Sequence, residues 1–283
     1  MTDSTDELDA QTLTQGWAAR KAERPTLWTD VDWAARTDIG RARENNEDKF
    51  DFFLPDDAAQ LSLRGRLWAL ADGMGGHNAG QIASEAALKT VVRSYFAPQS
   101  SDNTGEALKA ALVEANALIY AAARQFEGKS GMGTTAVIAV LKEDTLTVAH
   151  IGDSRAYLVR AGQPVQQITT DHSWVEEQVR RGTMSRAEAE ASPYRNYITR
   201  SVGVLERVEA DVESVIVQAG DVVLLCSDGL SGYIDGEALT PAVSGKSPSQ
   251  AALDLIDAAN AAGGRDNVTA LVIRIRAIEP YKE

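Results

Sequence analysis

The order in which apolar runs follow one another constrains the fold of this 283-residue chain most. Runs at 67–71, 134–141, 146–151, 155–159, 212–217, 221–227 and 268–275 are short, rich in small and branched apolar residues, and bounded by Gly, Asp or Asn. Such runs read as strands. Helical spacing interrupts them in only three long stretches. Residues 79–95 carry Ile82, Ala86 and Val91 on one face. Residues 106–126 carry Leu108, Leu112, Ala115, Leu118 and Ile119, and residues 249–262 end at Gly263-Gly264. A doubly wound parallel sheet needs a helix after nearly every strand. Here the runs from 134 to 159 are separated only by Glu143-Asp144 and Gly152-Asp153-Ser154, which predicts a meander of antiparallel neighbours. The last run, 268–275, alternates as a half-exposed strand would. The expected class is α+β, an antiparallel sheet covered by helices.

Charge narrows the function. The net charge of −13 repels nucleic acid and anionic membranes, so neither is an expected partner. No apolar run approaches the ~20 residues needed to span a bilayer. The first residues are acidic and polar, unlike a secretory leader. A single cysteine, Cys226 in the apolar run 222–226, excludes an intramolecular disulfide and reads as a small buried hydrophobe. A cytoplasmic protein is expected. Residues 1–27 read as a polar acidic tail, 28–278 as the folded domain and 279–283 as a C-terminal tail.

The chemistry concentrates in aspartates at strand ends. Asp72 follows the 67–71 run in Ala71-Asp72-Gly73-Met74-Gly75-Gly76. Asp153 sits in Gly152-Asp153-Ser154-Arg155, Asp228 in Ser227-Asp228-Gly229, and Asp266 in Gly264-Arg265-Asp266-Asn267. Clustered carboxylates suit hard divalent cations. Three histidines and one cysteine argue against a nitrogen- or sulfur-rich zinc site. Each Asp-Gly pair is also an ordinary turn signal. Upstream, Thr37 to Asp48 mixes arginines with Glu47-Asp48. An arginine is a natural fork for phosphate, and the neighbouring carboxylate could accept a hydrogen bond from a bound water.

Taken in order, these motifs resemble the metal-dependent PPM (type 2C) serine/threonine protein phosphatases in their bacterial form. Arg43-Glu44-Asn45-Asn46-Glu47-Asp48, the Asp72 motif, Gly133-Thr134-Thr135, the Asp153 motif, Thr199-Arg200-Ser201-Val202-Gly203, the Asp228 pair and the Asp266 motif span about residues 33–275. The resemblance implies a central sandwich of two antiparallel β-sheets flanked by α-helices, with metals in a cleft at one end. It implies Asp48, Asp72, Asp228 and Asp266 as the catalytic carboxylates. Asp72 would bridge two Mn²⁺ or Mg²⁺ ions, the Gly73 carbonyl would ligate one, and Asp228 and Asp266 would complete the pair. Asp153 matches the ligand of a candidate third ion, Arg43 the phosphate-binding arginine, and Asp48 the acid that orients metal-bound water. Asn267 lies beside the centre, and about residues 171–197 match a mobile flap. The implied reaction is hydrolysis of phosphoserine and phosphothreonine on proteins by activated water. The implied partners are a cognate serine/threonine kinase and its substrates, with the phosphatase a monomer.

One position departs from the eukaryotic pattern. A histidine proposed as general acid follows the Asp-Gly pair there, and Met74 stands here. His77, in the same glycine loop, becomes a candidate acid, against protonation by water. His150 and His172 read as structural. The rival from another class is a binding module that sequesters a partner, but such degenerate chains lose the metal-binding aspartates that this one keeps.

Overall fold

Alternate residues of the central strands bury themselves in different cores, and this fixes a layered architecture. The computed structural model describes residues 25–75, 78–125, 131–234 and 236–282. The strands in chain order are β1 (Leu27–Asp38), β2 (Asp48–Phe53), β3 (Arg66–Met74), β4 (Gly133–Thr134), β5 (Ala136–Lys142), β6 (Thr145–Ile151), β7 (Arg155–Val159), β8 (Gln166–Gln167), β9 (Asp211–Ile216), β10 (Val222–Cys226) and β11 (Val268–Pro280). The helices are α1 (Ala58–Arg64), α2 (Ala79–Tyr95), α3 (Thr104–Gln125), α4 (Trp174–Arg180), α5 (Arg186–Ala191), α6 (Asp228–Ser231), α7 (Gly236–Val243) and α8 (Pro248–Ala261). One sheet has the order β1-β11-β10-β7-β8 and the other β2-β3-β5-β6-β9, with β4 added to β3, and their pairings are antiparallel.

Trp68 and Leu70 of β3 point between the sheets, where they meet Leu225, Leu271 and Ile273. Leu67, Ala69 and Ala71 point the other way, onto α2 and α3. In the opposite sheet Val222, Leu224, Ala270 and Val272 face α8, packing on Ala251, Leu255 and Ile256. The result is an α-β-β-α stack, the sandwich expected above. Full burial of each large apolar side chain contributes ~1.5–3 kcal/mol. Among the described residues no helix is long and apolar enough to cross a membrane.

Three expectations are corrected. The meander holds from β3 through β5 to β6, but β7 leaves it for the other sheet. Gly152 makes the exit at φ +107, a backbone state glycine adopts without cost. The alternation of β11 separates two cores, not core from solvent, because helices cover the outer face. On α2 the buried stripe is Ala83, Ala87 and Val91, with Ile82 at 44% exposed, and on α3 Leu118 is 49% exposed. Small alanines face the sheet because they let the helices approach it closely.

Candidate active site

Strand ends from both sheets meet at one end of the sandwich. Asp48 opens β2 directly opposite Asp72 on β3. Asp228 is the first residue of α6, immediately after β10, and Asp266 lies just before β11. The sheets are stitched together at this point. Ser227 Oγ and Thr269 Oγ1, from the β10–β11 side, each donate to Asp48 Oδ2 at 2.7 Å. Asp153 sits in the link between β6 and β7 where the chain changes sheets.

Neither aspartate-glycine pair at the centre is a turn. Gly73 lies within β3 and Gly229 within α6. A Cβ on Gly73 would overlap the Gly80 carbonyl oxygen at the start of α2, and one on Gly229 would overlap the Asn267 carbonyl oxygen. Both glycines permit backbone-to-backbone contact, which draws Asp72 and Asp228 into the same space.

The loop 39–47 closes one side. Asn267 Nδ2 donates to the carbonyls of Ile39 (3.0 Å) and Asn45 (2.9 Å), and its Oδ1 accepts from the Glu47 amide at 2.8 Å. Asn267 therefore ties the loop to the mouth of β11, with its side chain spent on backbone. Held there, Arg43 donates through Nη2 to Asp266 Oδ2 at 2.7 Å and stays half exposed. Glu47 is the residue that sequence reasoning left without a role. Its carboxyl faces the Gly80 amide near the start of α2, close to Arg43 and Asp266, and desolvation raises its pKa. Its place immediately before Asp48 was the available signal.

Crowding governs the electrostatics. Burial, together with the charges of Asp228 and Asp266, pushes Asp48 up to about 6 against its two hydroxyl donors. Desolvation, then the charges of Asp48, Asp228, Asp153 and Asp266, holds Asp72 well above the usual carboxylate range. Burial, with Asp228 and Asp171 nearby, pushes Asp153 up to about 8. Asp228 is raised by desolvation and by Asp266.

Comparison with known proteins identifies the family. Residues 41–257 match the family described as Protein phosphatase 2C. The serine/threonine phosphatase stp of Listeria welshimeri is 36% identical over 242 residues, covering 84% of this chain and 93% of the relative. Protein phosphatase PhpP of Streptococcus pneumoniae is 36% identical over 241 residues, covering 84% and 94%. The chain belongs to the protein phosphatase 2C family. Among solved structures, the Mycobacterium tuberculosis serine/threonine phosphatase PstP/Ppp superposes with a TM-score of 0.76 at 35% identity, covering 88% of this chain and all of that one. The catalytic domain of PstP in complex with two manganese ions gives 0.74 at 35% identity, covering 89% and 100%.

In this 2C-family chain the carboxylates fit divalent cations. Asp48 Oδ1, Asp153 Oδ1, Asp228 Oδ1 and Glu47 Oε1 are buried without a hydrogen-bond partner. An uncompensated buried carboxylate costs several kcal/mol. An all-oxygen donor set of this charge is matched by hard cations such as Mn²⁺ or Mg²⁺. The fold thus brings together Asp48, Asp72, Gly73, Asp228, Asp266 and Arg43, with Asp153 on the Asp228 side and Asn267 behind the loop. His77 lies outside the described residues.

A cleft of about 1080 Å³ runs from Asp153, Asp228 and Asp266 past Arg155 to Arg186 and Arg195, between α6 and the segment bearing α4 and α5. Behind Asp153, one ligand atom each from His150, His172 and Asp211 lie within 4.8 Å of one another. The two rings are stacked, 4.7 Å between centroids and 22° between planes, so their in-plane lone pairs run side by side and do not converge on one ion. His172 Nδ1 accepts from the Gly152 amide at 3.1 Å, and His150 Nε2 faces the Thr170 carbonyl at 2.8 Å. Those nitrogens are occupied. Burial lowers both pKa values, that of His172 to about 4 with His150 and Arg200 contributing, so the rings are neutral at neutral pH. His172 Nε2, which faces Asp211, is buried without a hydrogen-bond partner.

Proposed function

We propose that this protein is a metal-dependent protein phosphatase that hydrolyses phosphoserine and phosphothreonine on proteins, with residues 28–278 as its phosphatase domain. The observation that carries the reading is the set of orphaned carboxylate oxygens gathered from both sheets beside Arg43. Asp72, Asp228, Asp266 and the Gly73 carbonyl would hold two Mn²⁺ or Mg²⁺ ions, and Asp153 a third. Bound there, the cations supply a water acidic enough to attack at neutral pH and offset charge on the phosphate oxygens.

The chain's own residues do the rest. Arg43 presents a planar fork to the phosphate, with Asp266 orienting it. Asp48, with Oδ2 fixed by Ser227 and Thr269, keeps Oδ1 free to take the proton of the attacking water. A covalent route through cysteine is disfavoured, because burial pushes the Cys226 thiol up to about 12. Met74 carries no proton to give, so the leaving alkoxide is protonated by water or by His77. The cleft exceeds what a small phosphoester fills and offers room for polypeptide on one side of the phosphorylated residue. The names of the Listeria and Streptococcus relatives point to the same substrate class. We place the protein in the cytoplasm, as a monomer opposing a serine/threonine kinase.

The test is hydrolysis of a phosphothreonine peptide. Activity should vanish in chelator and return with Mn²⁺, and Asp228→Asn should lower it by ~10³-fold or more through loss of cation charge stabilisation. Full activity in chelator would sink the proposal.

A further inference from the structure

We propose that His172 is the positioning residue that sets the Gly152–Asp153 turn and joins it to the neck of the segment 174–197. The inference rests on the reading that Asp153 binds a cation. His172 is buried, and it grips Gly152 twice. Its backbone amide donates to the Gly152 carbonyl at 3.0 Å, and its Nδ1 accepts from the Gly152 amide at 3.1 Å. Gly152 holds φ +107, so the peptide entering Asp153 has a backbone state that most residues avoid and that these two bonds pin.

The bond from the Gly152 amide fixes the tautomer of the ring. Because Nδ1 must be an acceptor, Nε2 carries the hydrogen; it is buried without a hydrogen-bond partner and faces the Asp211 carboxylate, with Oδ2 at 3.2 Å. Asp211 is held in turn by Arg200 Nη1 at 2.8 Å. The His172 carbonyl accepts from the Thr199 amide at 2.7 Å, Ser173 bridges Ile198, and the Trp174 amide donates to the Tyr197 carbonyl at 2.9 Å. These bonds zip the two ends of the 174–197 segment together. Beside them, Arg155 forms a bidentate pair with Asp171, Nε donating to Oδ1 and Nη2 to Oδ2. One residue therefore binds both the neck of the segment that walls the cleft, through its backbone carbonyl, and the turn that carries Asp153, through its amide and ring. A displacement of the neck must move Gly152, and with it the carboxylate.

Two substitutions separate the ends of the ring. His172→Asn places an amide oxygen near the position of Nδ1, keeping the Gly152 acceptor and giving up Asp211. His172→Gln reaches toward Asp211 and leaves the Gly152 amide unpaired. The first measurement is amide hydrogen exchange at Gly152 in chelator-treated protein. Exchange in His172→Asn should match wild type, and in His172→Gln it should be roughly 10-fold faster for the lost bond. The second is Mn²⁺ titration with the bound ions counted. His172→Gln should weaken the weakest-bound ion by roughly 10-fold or more, leaving the tighter ions unmoved, as loss of a positioning partner does. Turnover of a phosphopeptide should fall with it at unchanged KM, and His172→Asn should stay close to wild type. If His172→Gln does not melt cooperatively, Asp211→Ala, which removes the negative charge facing Nε2–H, should speed Gly152 exchange in the same direction. Equal protection in all variants, equal loss in Asn and Gln, or loss of the tighter ions together with the weak one would overturn the role. Wild-type protein that bound no Mn²⁺ would overturn the proposed function, and the exchange comparison would still decide the place of His172.

Discussion

Stripped of metal, this protein should lose stability as pH rises through neutrality. Burial and the charge of Asp228 push Asp153 up to about 8, whereas an unfolded aspartate releases its proton near pH 4. Across the interval between those values the folded state holds a proton that the unfolded state does not. Each such proton costs ~1.4 kcal/mol per pH unit of increase. From pH ~6.5 to ~8, Asp153 alone removes roughly 1.5 kcal/mol, and Asp72, also raised, acts in the same direction. Asp48, at about 6, has mostly ionised before this window and adds little. His150 and His172, with lowered pKa values, cost stability only below the unfolded histidine value of ~6.5, so they drop out as well. At ~2–4 °C per kcal/mol for large domains, the melting temperature should fall by roughly 3–6 °C or more. Scanning calorimetry of chelator-treated protein across that range measures it directly. Saturating Mn²⁺ should abolish or reverse the trend, because the cation binds the ionised carboxylates. Asp153→Asn, which mimics the protonated group, should flatten the metal-free slope. A metal-free melting temperature that stayed level or rose would refute the reasoning, as would an unchanged slope in Asp153→Asn.

Two further outcomes test the site. Arg43→Lys should raise KM for the phosphopeptide by ~10-fold with kcat little changed, since an ammonium cannot hold Asp266 and span two phosphate oxygens at once; steady-state kinetics with an unchanged KM would return Arg43 to a solvated loop. Thr269→Val removes one of two hydroxyls on Asp48 Oδ2, a bond to a charged group worth ~1.5–3 kcal/mol, so kcat should fall by ~10–100-fold with circular dichroism unchanged.

Local order was legible in the sequence because it is decided locally. The runs that form β3, β5, β6, β10 and β11 and the periods of α2, α3 and α8 are written in neighbouring residues, and so is the place of Asp72, Asp228 and Asp266 near element ends. Tertiary structure decided the rest. β7 joins the other sheet after the link at Gly152, where φ is +107, and no apolar pattern encodes that change of sheet. The donors that fix Asp48 lie 179 and 221 residues away, and nothing near Ser227 or Thr269 marks them as its partners. Likewise, His172 meets Gly152 and Asp211 only once β6, β9 and the neck have assembled. Periodicity reports which kind of element a segment forms. It does not report what a residue is buried against, because that is set by how distant segments cross.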